Sequence, residues 1–313
     1  MRLSKAIVTG ATGVLGRALV KKLLSVGIET YAVCRPGSSR NELLSPNVDL
    51  HKVECDLSEL AELQKNIDRS MDVFFHFAWI GNEEKSSSMN MPLQIRNIQY
   101  SVDAAEIAYD LGCKVFIGAG SQTEYGNFSG IIHPDTPANP ASGYGMAKLC
   151  AGFMTRAVCK KYGIRHIWPR IFTVYGIGAR KQSFVQMVID KLLRGERPAL
   201  TEGKQIWDFI YADDAAEAFY RMAICGKDGS VYPLGSGHPK ILREYVESIR
   251  DAINPELPLG FGEIPYRPGQ IMHMEPDVSA LFADTGWEAQ TEFASGIREI
   301  VDDMKAQADC NEN

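Results

Sequence analysis

Lys5-Ala-Ile-Val-Thr-Gly-Ala-Thr-Gly-Val-Leu-Gly16 is the stretch whose reading decides the fold. Ala6 to Val8 is an apolar run that reads as a short buried strand, and Val14 to Leu24 carries apolar residues at helical spacing. Between them stand Gly10, Gly13 and Gly16, three residues apart. Gly10 permits the tight bend out of the strand, Gly13 lets backbone N–H groups approach a phosphate with no Cβ in the way, and Gly16 lets the new helix pack closely on the sheet. The helix N-terminus then offers unpaired N–H groups and the positive end of its dipole to an anion. A lone glycine pattern is a weak signal; one that follows a strand and opens a helix reads as a dinucleotide-binding turn. Gly10, Thr12, Gly13, Val14, Leu15 and Gly16 are the residues expected at the cofactor.

The 313-residue chain is long enough for a large core in one big or two closely joined domains. A net charge of −6 argues against a nucleic acid bound through its phosphates. No apolar run approaches membrane-spanning length, and the N-terminus leads straight into the first strand without a signal-peptide pattern. Seven cysteines without a CxxC pair read as reduced thiols, and the expected location is cytoplasmic. The six histidines have no metal-ligand spacing, so no metal site is expected.

Strand and helix patterns alternate from here on. Thr30 to Cys34 reads as a second strand ending in Arg35-Pro-Gly-Ser-Ser-Arg40. An acidic residue at this tip would accept hydrogen bonds from the ribose 2′-hydroxyl of NAD. Cys34 stands in its place, and Arg35, Ser38, Ser39 and Arg40 suit a 2′-phosphate, so NADP(H) is the favoured cofactor with NAD(H) possible. Val48 to Glu54 is a third strand, leading to Asp56-Leu57, where a short loop could hold the adenine edge; Leu60 to Ile67 reads as a helix. Val73 to Phe77 is a continuous apolar strand followed by Ala78-Trp79, and Phe77 and Ala78 join the cofactor set. Glu83 to Asn90 is a polar loop, Pro92 to Leu111 a long amphipathic helix and Lys114 to Gly118 a strand. The class is α/β, with a Rossmann-type doubly wound parallel sheet.

Two segments after that strand carry chemistry, at the carboxyl end of the sheet. They are Ser121-Gln-Thr-Glu-Tyr-Gly126 and Ser142-Gly-Tyr-Gly-Met-Ala-Lys148. Tyr144 and Lys148 share one helix face. An ammonium beside the phenol favours phenolate and would lower the tyrosine pKa toward working pH, giving a general acid or base.

The chain resembles the extended short-chain dehydrogenase/reductase family, which contains nucleotide-sugar epimerases, dehydratases and ketoreductases. The resemblance rests on Gly10 to Gly16, Asp56-Leu57, Phe75-His-Phe-Ala-Trp79, Ser121 to Gly126 and Tyr144 with Lys148. It continues through Pro169-Arg-Ile-Phe-Thr-Val-Tyr-Gly176, Trp207-Asp-Phe-Ile-Tyr-Ala-Asp-Asp214 and Arg267-Pro-Gly269. It implies a catalytic triad of Ser121, Tyr144 and Lys148, with Lys148 also holding the nicotinamide ribose. It further implies Asn97 near the site, and a homodimer in which the long helix and the Tyr144 helix form a four-helix bundle. The expected division is a dinucleotide-binding domain over 1–174, with a return segment near 206–233. A substrate-binding lobe takes 175–205 and 234–305, and 306–313 is a tail.

Three departures sort the family's reactions. The 4,6-dehydratases carry an Asp–Glu pair directly after the active-site Ser/Thr; here Gln122 and Thr123 stand there, so elimination of water lacks its acid and base. Trp207 replaces an arginine that often grips the nucleotide diphosphate, with Lys204 as a partial substitute, and Thr173 replaces an asparagine. Arg267 is the main candidate for a diphosphate oxygen. With Trp79, Gln122, Thr123 and Arg180, these make up the expected substrate contacts. The first expectation is an NADPH-dependent ketoreductase of a nucleotide-linked 4-keto-6-deoxyhexose. The alternatives are a nucleotide-sugar C4 epimerase with tightly bound NAD, a reductase of small ketones or aldehydes, and a non-catalytic NADP-sensing protein.

Overall fold

The computed structural model describes residues 2–81 and 85–312. Its centre is a six-stranded parallel sheet. In chain order the strands are β1 (Lys5–Thr9), β2 (Glu29–Cys34), β3 (Leu50–Glu54), β4 (Val73–His76), β5 (Val115–Gly118) and the edge strand Arg165–Ile167. The spatial order runs β3-β2-β1-β4-β5 and then the edge strand, so the direction of winding reverses between β1 and β4. That reversal opens a crevice at the carboxyl ends of the strands, the place where such sheets take ligands.

Both faces of the sheet are covered, which explains the unbroken apolar runs. Alternate residues of the strands feed opposite cores. Ala6, Val8, Phe75 and Ile117 meet α1 (Val14–Ser25) and α5 (Ala212–Cys225) on one side. Ile7, Phe74 and Phe116 meet α2 (Met91–Asp110) on the other, with Cys159 of α3 (Gly143–Tyr162). A second core gathers α4 (Phe184–Leu193), α6 (Leu242–Ile253) and α8 (Phe293–Glu312) around Tyr175, Phe209, Tyr211 and Tyr245. The short strand Phe209–Tyr211 joins the two lobes: Ile210 enters the first core while Phe209 and Tyr211 enter the second. It pairs in parallel with Thr173–Tyr175. The remaining helix, α7 (Ser279–Thr285), packs Leu281 into the first core.

Some expectations change. Residues 57–65 form a 3₁₀ segment rather than an α-helix, because Asp56 caps the chain through Ser58 and Glu59 leaves helical geometry (φ −125°, ψ 23°). The helix expected to stop at Lys305 continues to Glu312, since no glycine or proline interrupts 306–312; the expected tail is helical through that residue. Of the expected polar loop, Glu83 and Glu84 lie outside the described residues and Lys85–Met89 is a 3₁₀ turn.

The glycine turn is set by contact as well as by backbone angle. Gly10 adopts φ +68°, and a Cβ there would lie 2.7 Å from the Ala78 amide nitrogen. A Cβ on Gly16 would overlap the Gly10 carbonyl oxygen. Gly10→Ala therefore combines a strained backbone with a clash against β4's continuation, and is expected to cost about 2–4 kcal/mol of stability. Chemical denaturation of the purified variant checks this, and an unchanged midpoint would refute it.

Candidate active site

The turn after β1 fits a dinucleotide. Gly13 caps α1 with no side-chain hydrogen bond, so the first N–H groups of the helix have no side-chain acceptor among the described residues. Thr12 precedes α1 in the turn, and Val14 and Leu15, the first residues of the helix, pack their side chains against the first core. Phe77 does the same, edge-on to Phe219 at 4.6 Å, and Ala78 closes on Gly10. At the tip of β2, Arg40 Nη2 donates to the Thr12 carbonyl at 2.9 Å, bridging to the glycine turn. Ser38 accepts from the Arg40 amide, Ser39 opens the 3₁₀ turn, and Arg35 is exposed. Asp56 accepts from the Ser58 hydroxyl and amide, which together with the nearby Arg35 hold its carboxyl below the usual range. Leu57 packs into the second-face core, so what the Asp56-Leu57 loop offers a ligand is backbone and one carboxylate.

Ser121 is fixed from both sides. Its amide donates to Glu124 Oε1 at 2.8 Å, closing a capping box. Its hydroxyl oxygen accepts from Thr123 N at 3.2 Å and from Thr123 Oγ1 at 2.9 Å. With both lone pairs used, the Ser121 proton is left to be donated elsewhere. Ser142 caps α3 by accepting from Gly145 N, and a Cβ on Gly145 would meet the Thr123 carbonyl at 2.5 Å. The first turn of α3 thus lies directly on the Ser121 turn and carries Tyr144 to it. Thr123, expected at the substrate, anchors Ser121 through these two bonds. Gln122 keeps its Oε1 buried without a partner among the described residues.

Lys148 follows one turn later and is 4 % exposed. It donates to the Ala119 carbonyl at 2.7 Å and sits 3.7 Å from the centroid of the Trp79 ring. Burial pushes its pKa down to about 7, with the Glu124 carboxylate opposing the shift. Tyr144 goes the other way: burial pushes it up to about 12, and the hydrogen bond from Ser121 pulls it partly back. The expected lowering by Lys148 is absent: with its own pKa near 7 the lysine is neutral before the phenol titrates, and its Nζ lies on Trp79, 5.8 Å from the Tyr144 ring centroid. Arg180 is exposed and its charge reaches Tyr144.

Behind them α2 supplies a polar face that the sequence reading credited only at Asn97. Asn97 takes the Ile80 backbone with both amide atoms at 2.9 Å, and Gln94 accepts from the Trp79 indole at 3.0 Å. His76 is buried and neutral, its pKa lowered by desolvation to about 3. It lies between Thr9 Oγ1 at 2.9 Å and Ser101 Oγ at 3.3 Å. Since Ser101 donates to the Asn97 carbonyl, the chain Ala78 N–H, Thr9, His76, Ser101 is directional, which assigns His76 as the Nε2–H tautomer.

A cavity of about 390 Å³ lies in the second lobe, and none of Ser121, Tyr144 and Lys148 lines it. Thr173, Trp207 and Arg267 line it, with Phe184, Leu200 and Phe261. Trp207 Nε1 donates to Thr173 Oγ1 at 2.9 Å, so these two replacements lock one another. Lys204 is paired with Glu202 at 2.7 Å and is not among the lining residues, while its neighbours Gly203 and Gln205 face the cavity. Among the described residues no group of three His, Cys, Asp or Glu could hold a metal, and no helix is long and apolar enough to cross a membrane.

A dinucleotide turn at a sheet reversal, with a Ser, Tyr and Lys gathered at the adjoining strand end, defines a Rossmann-fold protein of the short-chain dehydrogenase type. The chain belongs to the NAD dependent epimerase/dehydratase family, whose model matches residues 6–235. It is 28 % identical over 251 residues, 77 % of this chain and 87 % of the relative, to a dTDP-6-deoxy-L-talose 4-dehydrogenase (NAD(+)) of Aggregatibacter actinomycetemcomitans. A solved UDP-N-acetylglucosamine 4-epimerase from Methanobrevibacter ruminantium superposes with TM-score 0.85 at 24 % identity, covering 98 % of this chain and 100 % of that one. UDP-glucuronic acid 4-epimerase from Bacillus cereus, solved with its sugar nucleotide and NAD, gives 0.84 at 21 % identity, covering 97 % and 99 %.

The depressed Lys148 pKa has a consequence for stability. Unfolded, the lysine keeps its proton to about 10.5; folded, it releases it near 7. Between those values the folded state binds fewer protons, so this group's penalty on folding is full below pH 7 and fades as pH rises toward 10.5. Lys148→Met is expected to melt higher than the native protein at about pH 6.5, with the gap narrowing by about pH 10. Paired melting curves check it; a gap independent of pH would refute it.

Proposed function

We propose that the protein is an NADP(H)-dependent oxidoreductase that interconverts a ketone and an alcohol at C4 of a nucleotide-linked 6-deoxyhexose, acting as a ketoreductase. The observation that carries this reading is the cluster of Ser121, Tyr144 and Lys148 beside Gln122 and Thr123, which supply no carboxyl acid–base pair for eliminating water. The likeness to a relative named as a 4-dehydrogenase of a dTDP-6-deoxy sugar supports the same position and sugar class.

The bound nicotinamide supplies the hydride. Tyr144, a neutral phenol at working pH, donates its proton to the O4 oxygen. Ser121, with its oxygen already satisfied by Thr123, gives its proton to the same oxygen as charge develops there. Lys148, held in the floor of the site, places positive charge near the phenol once a ligand excludes water. The orphan Gln122 Oε1 accepts from a sugar hydroxyl. Arg267, at the cavity rim, takes a diphosphate oxygen, and the apolar walls around Phe261 and Leu200 take the base. Arg35, Ser39 and Arg40 face the 2′-phosphate, with no carboxylate at Cys34 to repel it. Exposed Ile95 on α2 and Met146, Phe153 and Met154 on α3 form one apolar face that suits a second copy of the chain.

Tyr144→Phe removes only the phenolic hydroxyl and is expected to reduce turnover about 10²–10⁴-fold while cofactor binding persists. Consumption of NADPH in proportion to product is the reductase signature. NAD carried through purification, with sugar interconversion and no NADPH loss, would instead establish the epimerase.

The cofactor preference is tested separately. Arg35→Asp is expected to reverse it, since a charge-assisted pair contributes about 1.5–3 kcal/mol. Equal affinity of the native protein for NADP(H) and NAD(H) would refute the assignment.

A further inference from the structure

Trp79 occupies a position that neither the glycine turn nor the triad explains. Three contacts fix its indole. Its Nε1 donates to Gln94 Oε1 at 3.0 Å, and Gln94 is itself held by donating to the Ser87 carbonyl at 2.9 Å. Its ring is edge-on to Tyr144, with centroids 5.8 Å apart at 85°. Its face carries Lys148 Nζ at 3.7 Å. The next residue, Ile80, is pinned at both backbone groups by Asn97, one turn along the same face of α2. The indole is therefore set by a rigid helix and touches both members of the Tyr144–Lys148 pair.

We propose that Trp79 is a positioning residue for that pair: its indole face holds the Lys148 head group in the floor of the site and sets the pH range over which the pair works. The inference rests on the assignment of Tyr144 and Lys148 to the reaction. Lys148 has three N–H groups. One goes to Ala119, the indole face takes up the charge from a second side, and the third is left for a ligand or the phenol.

The charged and titratable groups around the pair are few. Glu124 acts on Lys148 from the Ser121 turn, but Arg170 already takes its other oxygen at 2.7 Å. His76 of β4 is neutral. Arg180 acts on Tyr144 from the second lobe. No carboxylate forms an ion pair with Lys148 among the described residues, so the Ala119 carbonyl at 2.7 Å and the π face of Trp79 at 3.7 Å are the near groups that favour the charged form, and of the two only the indole is a side chain. Removing that face disfavours the ammonium, and the pair loses its cation at a lower pH.

Two measurements test this. In the first, Trp79 emission is isolated at pH 6 as the spectrum of the native protein minus that of Trp79→Phe, and again in a Lys148→Met background. The expected result is a shifted Trp79 emission when the ammonium is removed; identical difference spectra would overturn the contact. In the second, NADPH-dependent reduction of dTDP-4-keto-6-deoxy-D-glucose is followed from about pH 5.5 to 9.5, a window that spans the working range of the pair. Trp79→Leu is expected to move the alkaline limb of kcat down by about one pH unit. Trp79→Phe, which keeps an aromatic face in the same slot, is expected to move it less than half as far, and it serves where the leucine variant does not fold. A uniform loss of rate with unchanged limbs in the variants would overturn the proposal. Full activity of Tyr144→Phe would overturn the triad assignment, and the fluorescence result would then report on the Trp79–Lys148 contact alone.

Discussion

The Glu124 carboxylate is the interaction on which the rest of the site depends. It is fully buried and accepts from three donors: Ser121 N, Trp168 Nε1 at 3.1 Å and Arg170 Nε at 2.7 Å. Arg170 is itself buried and lies over the Tyr125 ring. Burying two charges is costly, and the attraction offsets this only when further hydrogen bonds satisfy the group, which the Ser121 amide and the Trp168 indole do for Glu124. What the pair provides is position. It ties the turn after β5 to the segment after the edge strand, so the Ser121 backbone cannot move independently of the sheet. Trp168 fits beside it because Gly118, Gly120 and Gly152 have no side chains to meet its ring.

From that anchor the site is assembled by short-range steps. The Ser121 turn receives the first turn of α3 through Gly145, which delivers Tyr144 and then Lys148. Across the crevice, α2 presents Gln94, Asn97 and Ser101 to the end of β4 and holds Trp79, Ile80 and His76. Two helices on the same face of the sheet thus fix opposite walls, each through polar side chains that are buried and bonded. Lys148 is displaced downward in pKa and Tyr144 upward, both because their charged forms are desolvated. Without ligand the pair is closer to neutral than the helical spacing alone suggests, and the two shifts suit the phenol to give a proton rather than take one.

What could be read from the residues follows from the range of the signal. The β1–α1 turn was legible because strand, glycines and helix are contiguous, and Tyr144 with Lys148 because helical spacing fixes a shared face. The edge strand Arg165–Ile167 was not, since two of its three residues are polar and it holds its place by pairing with β5. Helix α8 runs past the end expected at Lys305 because the polar composition beyond that residue reads as disorder, although nothing there breaks a helix. Glu124 carried a readable sign in the Ser-x-x-Glu spacing from Ser121, yet its link to Arg170 crosses 46 residues and only the fold shows it. The orientation of Lys148 toward Trp79 and of Lys204 toward Glu202 depends on rotamers, which spacing does not encode.

The cavity of the second lobe shows how a departure from a family pattern can be coherent. An indole at 207 removes a cation from the cavity, and Thr173 supplies the hydroxyl that its Nε1 needs. The pair therefore exchanges a charge for a closed hydrogen bond and an apolar wall. Arg267 is left as the cation at the rim, flanked by Pro265 and Gln270 on the exposed side. In the proposed complex, affinity for the nucleotide half then comes chiefly from apolar burial against Phe184, Leu200 and Phe261, with one guanidinium setting the register of the diphosphate. Such a site depends less on salt than one built from two arginines, because a smaller share of its binding is screened.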